Sequence, residues 1–135
     1  MASEIHAAAA AIAAAVEAAW TGRTPIQWEG LDFRPPNGPW LRVAILWGEA
    51  FEQTIGGPGI GKNEVVGVLS LSIFGRPGRG TGELEAYADV LRDAFNRAEI
   101  GKVRFGAPSG PRPAQEREGW IQMVVDIPFT LEETL

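Results

Sequence analysis

The stretch from Glu64 to Glu99 constrains the fold of this chain more than any other. Val65, Gly67, Leu69, Leu71 and Ile73 alternate with Val66, Val68, Ser70, Ser72 and Phe74, the period-two pattern of a strand with one wholly apolar face. Such a strand belongs in the middle of a sheet. The run breaks at Gly75-Arg76-Pro77-Gly78-Arg79-Gly80-Thr81-Gly82, too rich in glycine to hold a strand or helix, and Thr81 is placed to cap a helix beginning there. Leu84, Tyr87, Ala88, Leu91, Phe95 and Ala98 then recur at three- and four-residue spacings, one apolar stripe of a helix that can lie back on the sheet. Glu83 and Glu85 in its first turn and Arg97 in its last suit the helix dipole, Asp93 and Arg97 stand four apart in the favourable order, and Gly101 supplies the stop.

The flanking segments repeat these signals. Ser3 can cap a helix running to about Trp20, with Ile5, Ile12 and Val16 on one face and Gly22 as its stop. Nearly everything else on it is alanine, a strong helix former of little volume, which suits either a plain surface helix or one packed closely between subunits. From Thr24 to Pro39 the prolines Pro25, Pro35, Pro36 and Pro39 restrict the chain to short extended pieces, with Ile26 to Trp28 the strand candidate. Trp40 to Trp47 alternates again, Leu41, Val43, Ile45 and Trp47 facing one way and Trp40, Arg42, Ala44 and Leu46 the other. The connection from Gly48 to Asn63 reads as a long hairpin. Lys102 to Phe105 is a short strand, and Ala107 to Arg117 reads as a loop punctuated by proline and glycine. Ile121, Met123, Val125, Ile127 and Phe129 form the apolar side of a last strand, which Pro128 suggests ends near a sheet edge.

Together these predict an α+β fold in the order α-β-β-β-α-β-β, a mainly antiparallel or mixed sheet with two helices on one face, in a single domain spanning residues 1–135. With 135 residues and 45% of them hydrophobic, the chain can bury roughly two-thirds of its unfolded surface without staples. The second sheet face mixes Leu46, Val66, Val68, Val124 and Trp120 with Arg42, Ser70, Ser72, Gln122 and Asp126, a composition more natural to a subunit contact than to solvent. The expected interface residues are Trp40, Arg42, Leu46, Phe51, Ile55, Val66, Val68, Arg76, Arg79 and Trp120. Tryptophan anchors many interfaces and also fills cores. Trp47 shares the apolar face and is assigned to the core, Trp40 to an interface.

Several chemistries are disfavoured. No cysteine is present, which removes disulfides, thiolate metal sites and cysteine nucleophiles. The one histidine, His6, excludes histidine triads and multi-histidine metal sites. Gly56 to Lys62 imitates a phosphate-binding loop, but Asn63 stands where Ser or Thr would hold magnesium and a strand comes next instead of a helix. The Gly75 to Gly82 loop with Arg76 and Arg79 does open a helix, yet it lacks dinucleotide spacing, so a solvated loop whose arginines meet acidic neighbours is the simpler reading. No catalytic residue, cofactor or metal is expected. A net charge of −5 argues against a broad grip on nucleic-acid phosphates. The alanine run lacks the preceding basic residues of a secretory signal and no apolar stretch spans a bilayer, so a soluble, intracellular protein is expected.

One resemblance covers nearly the whole chain. An N-terminal helix, a Trp28 strand, the segment Phe33-Arg34-Pro35-Pro36-Asn37-Gly38-Pro39-Trp40-Leu41-Arg42-Val43, a long glycine-rich hairpin, a strand ending in Ile73-Phe74-Gly75, an Ala-Asp helix, and a closing Gly119-Trp120 strand with Ile127-Pro128-Phe129 resemble the tail terminator proteins of long-tailed phages and gene transfer agents. The resemblance implies a subunit that assembles as a ring, commonly a hexamer, on the end of a finished tail tube in the virion, after assembly in the host bacterial cytoplasm. Its implied partners are further copies of itself, the tail tube protein and a head completion or connector protein, with DNA passing through the lumen unbound and no membrane involved. Another small head-tail joining or tail completion protein, or a small nucleotide-binding or enzyme domain, is the alternative.

Overall fold

The computed structural model describes residues 4–52, 62–78, 80–117 and 119–134. Its elements are α1 (Glu4–Trp20), β1 (Ile26–Gln27), β2 (Trp40–Glu52), β3 (Lys62–Gly75), α2 (Gly82–Phe95), β4 (Glu99–Ile100), β5 (Val103–Phe105), β6 (Ser109–Arg117) and β7 (Trp120–Thr134). The strands form one mixed sheet in the order β1-β2-β3-β7-β5-β4, with β6 also paired to β7. Among the described residues only the β1–β2 pairing is parallel. The fold is thus the α+β sheet with two helices that the hydrophobic pattern implies, with β3 between β2 and β7 as its apolar alternation demands.

The apolar faces of three strands meet the helices. Leu41 and Val43 of β2, Val65, Leu69, Leu71 and Ile73 of β3, and Val125, Ile127, Phe129 and Leu131 of β7 are all buried. They are covered by Ala8, Ile12, Val16 and Trp20 of α1 and Leu84, Ala88, Leu91 and Phe95 of α2, each set recurring at the spacing that keeps one helical stripe inward. Trp20 and Tyr87 join the two helices with ring centroids 5.1 Å apart. Ile5 lies on the inward stripe but is 38% exposed. Trp47 packs against the core as assigned, edge-on to Phe129 at 5.3 Å.

Four local expectations are corrected. Thr81 stands at the N-cap of α2, but its Oγ1 donates to Glu85 Oε1 (2.9 Å) instead of accepting a backbone N–H. The helix stops at Phe95, short of Ala98: Arg97 turns left-handed (φ 54°), its N–H donates to Gly106 O (3.1 Å), and Phe105 N–H donates to Ala98 O (2.8 Å). Hydrogen bonds to the β5 region thereby outcompete another helical turn, the Asp93–Arg97 helical pair is lost, and Gly101 (φ 59°) lies in the β4–β5 turn instead of stopping a helix. Residues 109–117, read as loop, form β6. Its prolines Pro111 and Pro113 are tolerable because β6 is a rim strand with outward nitrogens to spare, and Arg92 of α2 fastens its start by donating to the carbonyls of Pro108 and Gly110.

Pro128 does not mark an edge. β7 pairs with β3 along its whole length, while its other side is shared between β6, as far as Asp126, and β5, from Phe129 onward. Pro128 sits in that gap and its carbonyl accepts from Gly106 N–H (2.8 Å). A strand residue's nitrogen and oxygen point the same way, so the missing donor faces the break between two neighbours.

Ser3 and the hairpin tip, residues 53–61, lie outside the described residues, and with them most of the phosphate-loop imitation. The strand expected after it is found, β3 starting at Lys62.

Candidate interaction face

The sheet face turned away from the helices divides into a closed half and an open half. At the closed end, Trp40 is only 6% exposed. Its ring stacks on Phe74 (4.0 Å, 7°), meets Phe33 at 5.0 Å and takes Trp120 edge-on at 5.9 Å. Arg42 lies over the Phe74 ring at 5.0 Å and Arg76 over the Trp120 ring at 3.8 Å, geometries in which the ring quadrupole attracts the cation. Trp40 is therefore covered from within its own chain, and the Phe33 segment supplies much of the cover an interface was expected to give.

Arg76 acts as a clamp. Its Nε donates to Asn37 O (3.2 Å) and its Nη1 to Gly119 O (3.4 Å), which ties the glycine loop after β3 to the segment before β2 and to the β6–β7 turn. The acidic neighbours expected for it are replaced by carbonyls and a ring. Below the stack, Gln122 Nε2 donates to Ser72 Oγ (3.0 Å), both side chains buried. Trp40 Nε1 is buried with no hydrogen-bond partner among the described residues.

At the open end, register places Leu46, Val68 and Pro128 side by side across β2, β3 and β7. Val66 lies in the next row beside Thr130, which pairs with Arg104 of β5. Leu46 is 57% exposed, Pro128 exposed, and Val66 and Val68 half-buried. They border a shallow concavity of about 680 Å³ that reaches Gly106. Between the halves, Arg112 Nη2 pairs with Asp126 Oδ2 at 2.8 Å.

Of the expected interface residues, Leu46, Val66 and Val68 thus converge on one open patch, while Trp40, Arg42, Arg76 and Trp120 form the closed aromatic end. Phe51 belongs to β2 opposite Glu64, but its side chain, like Ile55 and Arg79, lies outside the described residues. Sequence reading missed Phe33 and Pro128. Pro128 shares the parity of Val124 and Asp126, which would have placed it on this face. Phe33 carries no such periodic signal, since its position depends on how the proline segment folds back.

Among the described residues no group of three His, Asp or Glu side chains could hold a metal ion, and no helix is long and apolar enough to cross a membrane. No curated protein matches the chain. A solved protein structure matches 90% of this chain and 94% of its own, at 19% identity and a TM-score of 0.65. That likeness extends the fold, and the fold alone, to a second protein. The profile of a family described as phage tail terminator protein matches residues 4–129. Nearly all of both helices and the sheet falls within that match, and the chain belongs to the phage tail terminator protein family.

Proposed function

We propose that the chain is a non-enzymatic ring subunit that caps the end of a phage-type tail tube, stops its polymerisation and presents a surface to the head, with the open patch as a contact to a neighbouring copy or to the tube. Family membership supports the setting. The observation that carries the reading is the Leu46, Val68 and Pro128 row, an apolar strip left uncovered beside a half-face that the chain closes for itself. Burying one such side chain is worth roughly 1.5–3 kcal/mol, and a ring repeats the gain at every contact. The net charge of −5 gives duplex DNA no attraction to the subunit, which suits passage through a lumen without specific binding.

The test is Leu46→Asp combined with Val68→Thr. Leu46 is more than half exposed, so the folded subunit should keep its melting temperature within a few degrees. Native mass spectrometry should show the ring reduced to monomers, and tails assembled with the variant should be overlong or unfinished. A folded variant that still forms rings and caps tubes at normal length refutes this use of the patch.

A further inference from the structure

The asparagines of the chain are Asn37, Asn63 and Asn96, and their surroundings set the first apart chemically. We propose that Asn37–Gly38 is a self-modifying site, at which Arg76 promotes closure of the Asn37 side chain to a succinimide and directs hydrolysis of that ring towards isoaspartate.

In this chemistry the backbone nitrogen of the next residue attacks the side-chain amide of the asparagine. The nitrogen is nucleophilic only as its anion, whose charge rests largely on the asparagine's own carbonyl oxygen. That oxygen is the atom Arg76 holds, since its Nε donates to Asn37 O at 3.2 Å. A cation bonded to an oxygen that is becoming anionic favours the charged form and lowers the barrier that runs through it. Arg76 is fixed for the role: its Nη1 donates to Gly119 O at 3.4 Å and its Cζ lies 3.8 Å from the centroid of the Trp120 ring.

The local chain leaves room for the ring. Residues 37 and 38 precede β2, Asn37 is exposed, and a Cβ at Gly38 would meet nothing within 4 Å. The other two asparagines are held differently. Asn63 is paired in β3 with Glu52 on one side and Glu133 on the other, and the nitrogen that would have to attack Asn96 belongs to Arg97, whose N–H donates to Gly106 O at 3.1 Å.

Two steps follow. Gly38 N bonds to Asn37 Cγ, and the side-chain nitrogen leaves as ammonia with the proton that Gly38 N gives up. Solvent water then opens the ring at one of its two carbonyl carbons, the hydroxyl going to carbon and the hydrogen to the Gly38 nitrogen. Attack at Cγ yields aspartate, whereas attack at the backbone carbonyl carbon yields isoaspartate, in which the main chain runs on through Cβ and Cγ. Arg76 polarises the backbone carbonyl, so isoaspartate gains over the ratio found in an unfolded chain. The carboxylate thus freed stays on Arg76, and a bond to a neutral acceptor becomes a charge-assisted pair, just ahead of the buried Trp40.

The test incubates the full chain in neutral buffer, folded and in guanidinium chloride. The peptide holding Asn37 is followed by mass spectrometry, and labelling by isoaspartyl methyltransferase counts the isoaspartate. Folded wild type is expected to convert Asn37 while Asn63 and Asn96 stay intact, with an isoaspartate share above that of the unfolded chain. Arg76→Met, its fold checked by tryptophan fluorescence, should convert Asn37 about tenfold more slowly when folded, the effect of one hydrogen bond to a charged group, and at the wild-type rate when unfolded. A folded wild type that keeps Asn37 intact while the unfolded chain converts it, or that gives the unfolded chain's product ratio, overturns the proposal whatever the variant does. A folded Arg76→Met protein as fast as wild type overturns it too, and should that variant not fold, the two wild-type measurements decide alone.

Discussion

Gly67 is where the fold has least room, and Gly67→Ala tests the packing logic of the whole sheet. The glycine lies opposite Trp47 on one side and Phe129 on the other. An added methyl would collide with Phe129 Cζ and lie 2.9 Å from both Phe129 Cε1 and the Leu46 carbonyl oxygen. Neither can give way easily. Phe129 is 3% exposed and held edge-on by Trp47 at 5.3 Å and Phe105 at 5.8 Å, and the carbonyl belongs to the β2 backbone. Overpacking of this kind costs about 1–3 kcal/mol, against which the stiffer unfolded chain of an alanine returns about 0.4–1 kcal/mol. The net expectation is a loss of roughly 1–2 kcal/mol, or a melting temperature lower by about 4–10 °C for a domain of this size. Circular dichroism melts and urea titrations at one fixed chain concentration measure it, since assembly would otherwise shift the midpoint. Phe129→Leu in the same chain should recover part of the loss, giving a coupling of about 1 kcal/mol. A Gly67→Ala protein within about 0.5 kcal/mol of wild type, or strictly additive double-mutant energies, would refute the overpacking of this position.

Trp40→Ala should destabilise by about 3–5 kcal/mol as the aromatic stack empties, whereas Trp40→Phe should stay within about 1 kcal/mol because it also removes a buried N–H whose desolvation is unrepaid. Equal losses in urea titration would contradict the burial of Trp40 within its own chain. Arg92→Met deletes the bonds to the Pro108 and Gly110 carbonyls and should cost about 1–3 kcal/mol, with hydrogen exchange accelerating first in β6; unchanged β6 protection would count against Arg92 as the fastening of that strand. Arg97→Gly relieves a left-handed non-glycine residue (φ 54°) that costs about 1–2 kcal/mol, less the added freedom of the unfolded chain, so stability should rise by up to about 1 kcal/mol. A lower melting temperature would show that the Arg97 side chain contributes more than its backbone costs.

The three long strands, both helices and the inward face of each were legible in the sequence because burial writes itself as a period: two for β2, β3 and β7, and three to four for α1 and α2. The half-apolar outer face was legible for the same reason, down to Leu46, Val66 and Val68. What the sequence left undecided lies where long-range partners outrank local preference. Arg97 leaves the helix because Gly106 and Phe105 offer backbone hydrogen bonds that residues 96–98 cannot know from their neighbours in sequence. Residues 109–117 become a strand because β7 has an open side and Arg92 reaches across to hold them, although their prolines and glycine read as loop. Trp40 moved from expected interface to intramolecular stack because Phe33, seven residues earlier in a proline segment without period, folds back over it. Periodicity tells a residue which side of its element is inward, and only the tertiary structure decides which outward surfaces the chain covers for itself and which it leaves for another molecule.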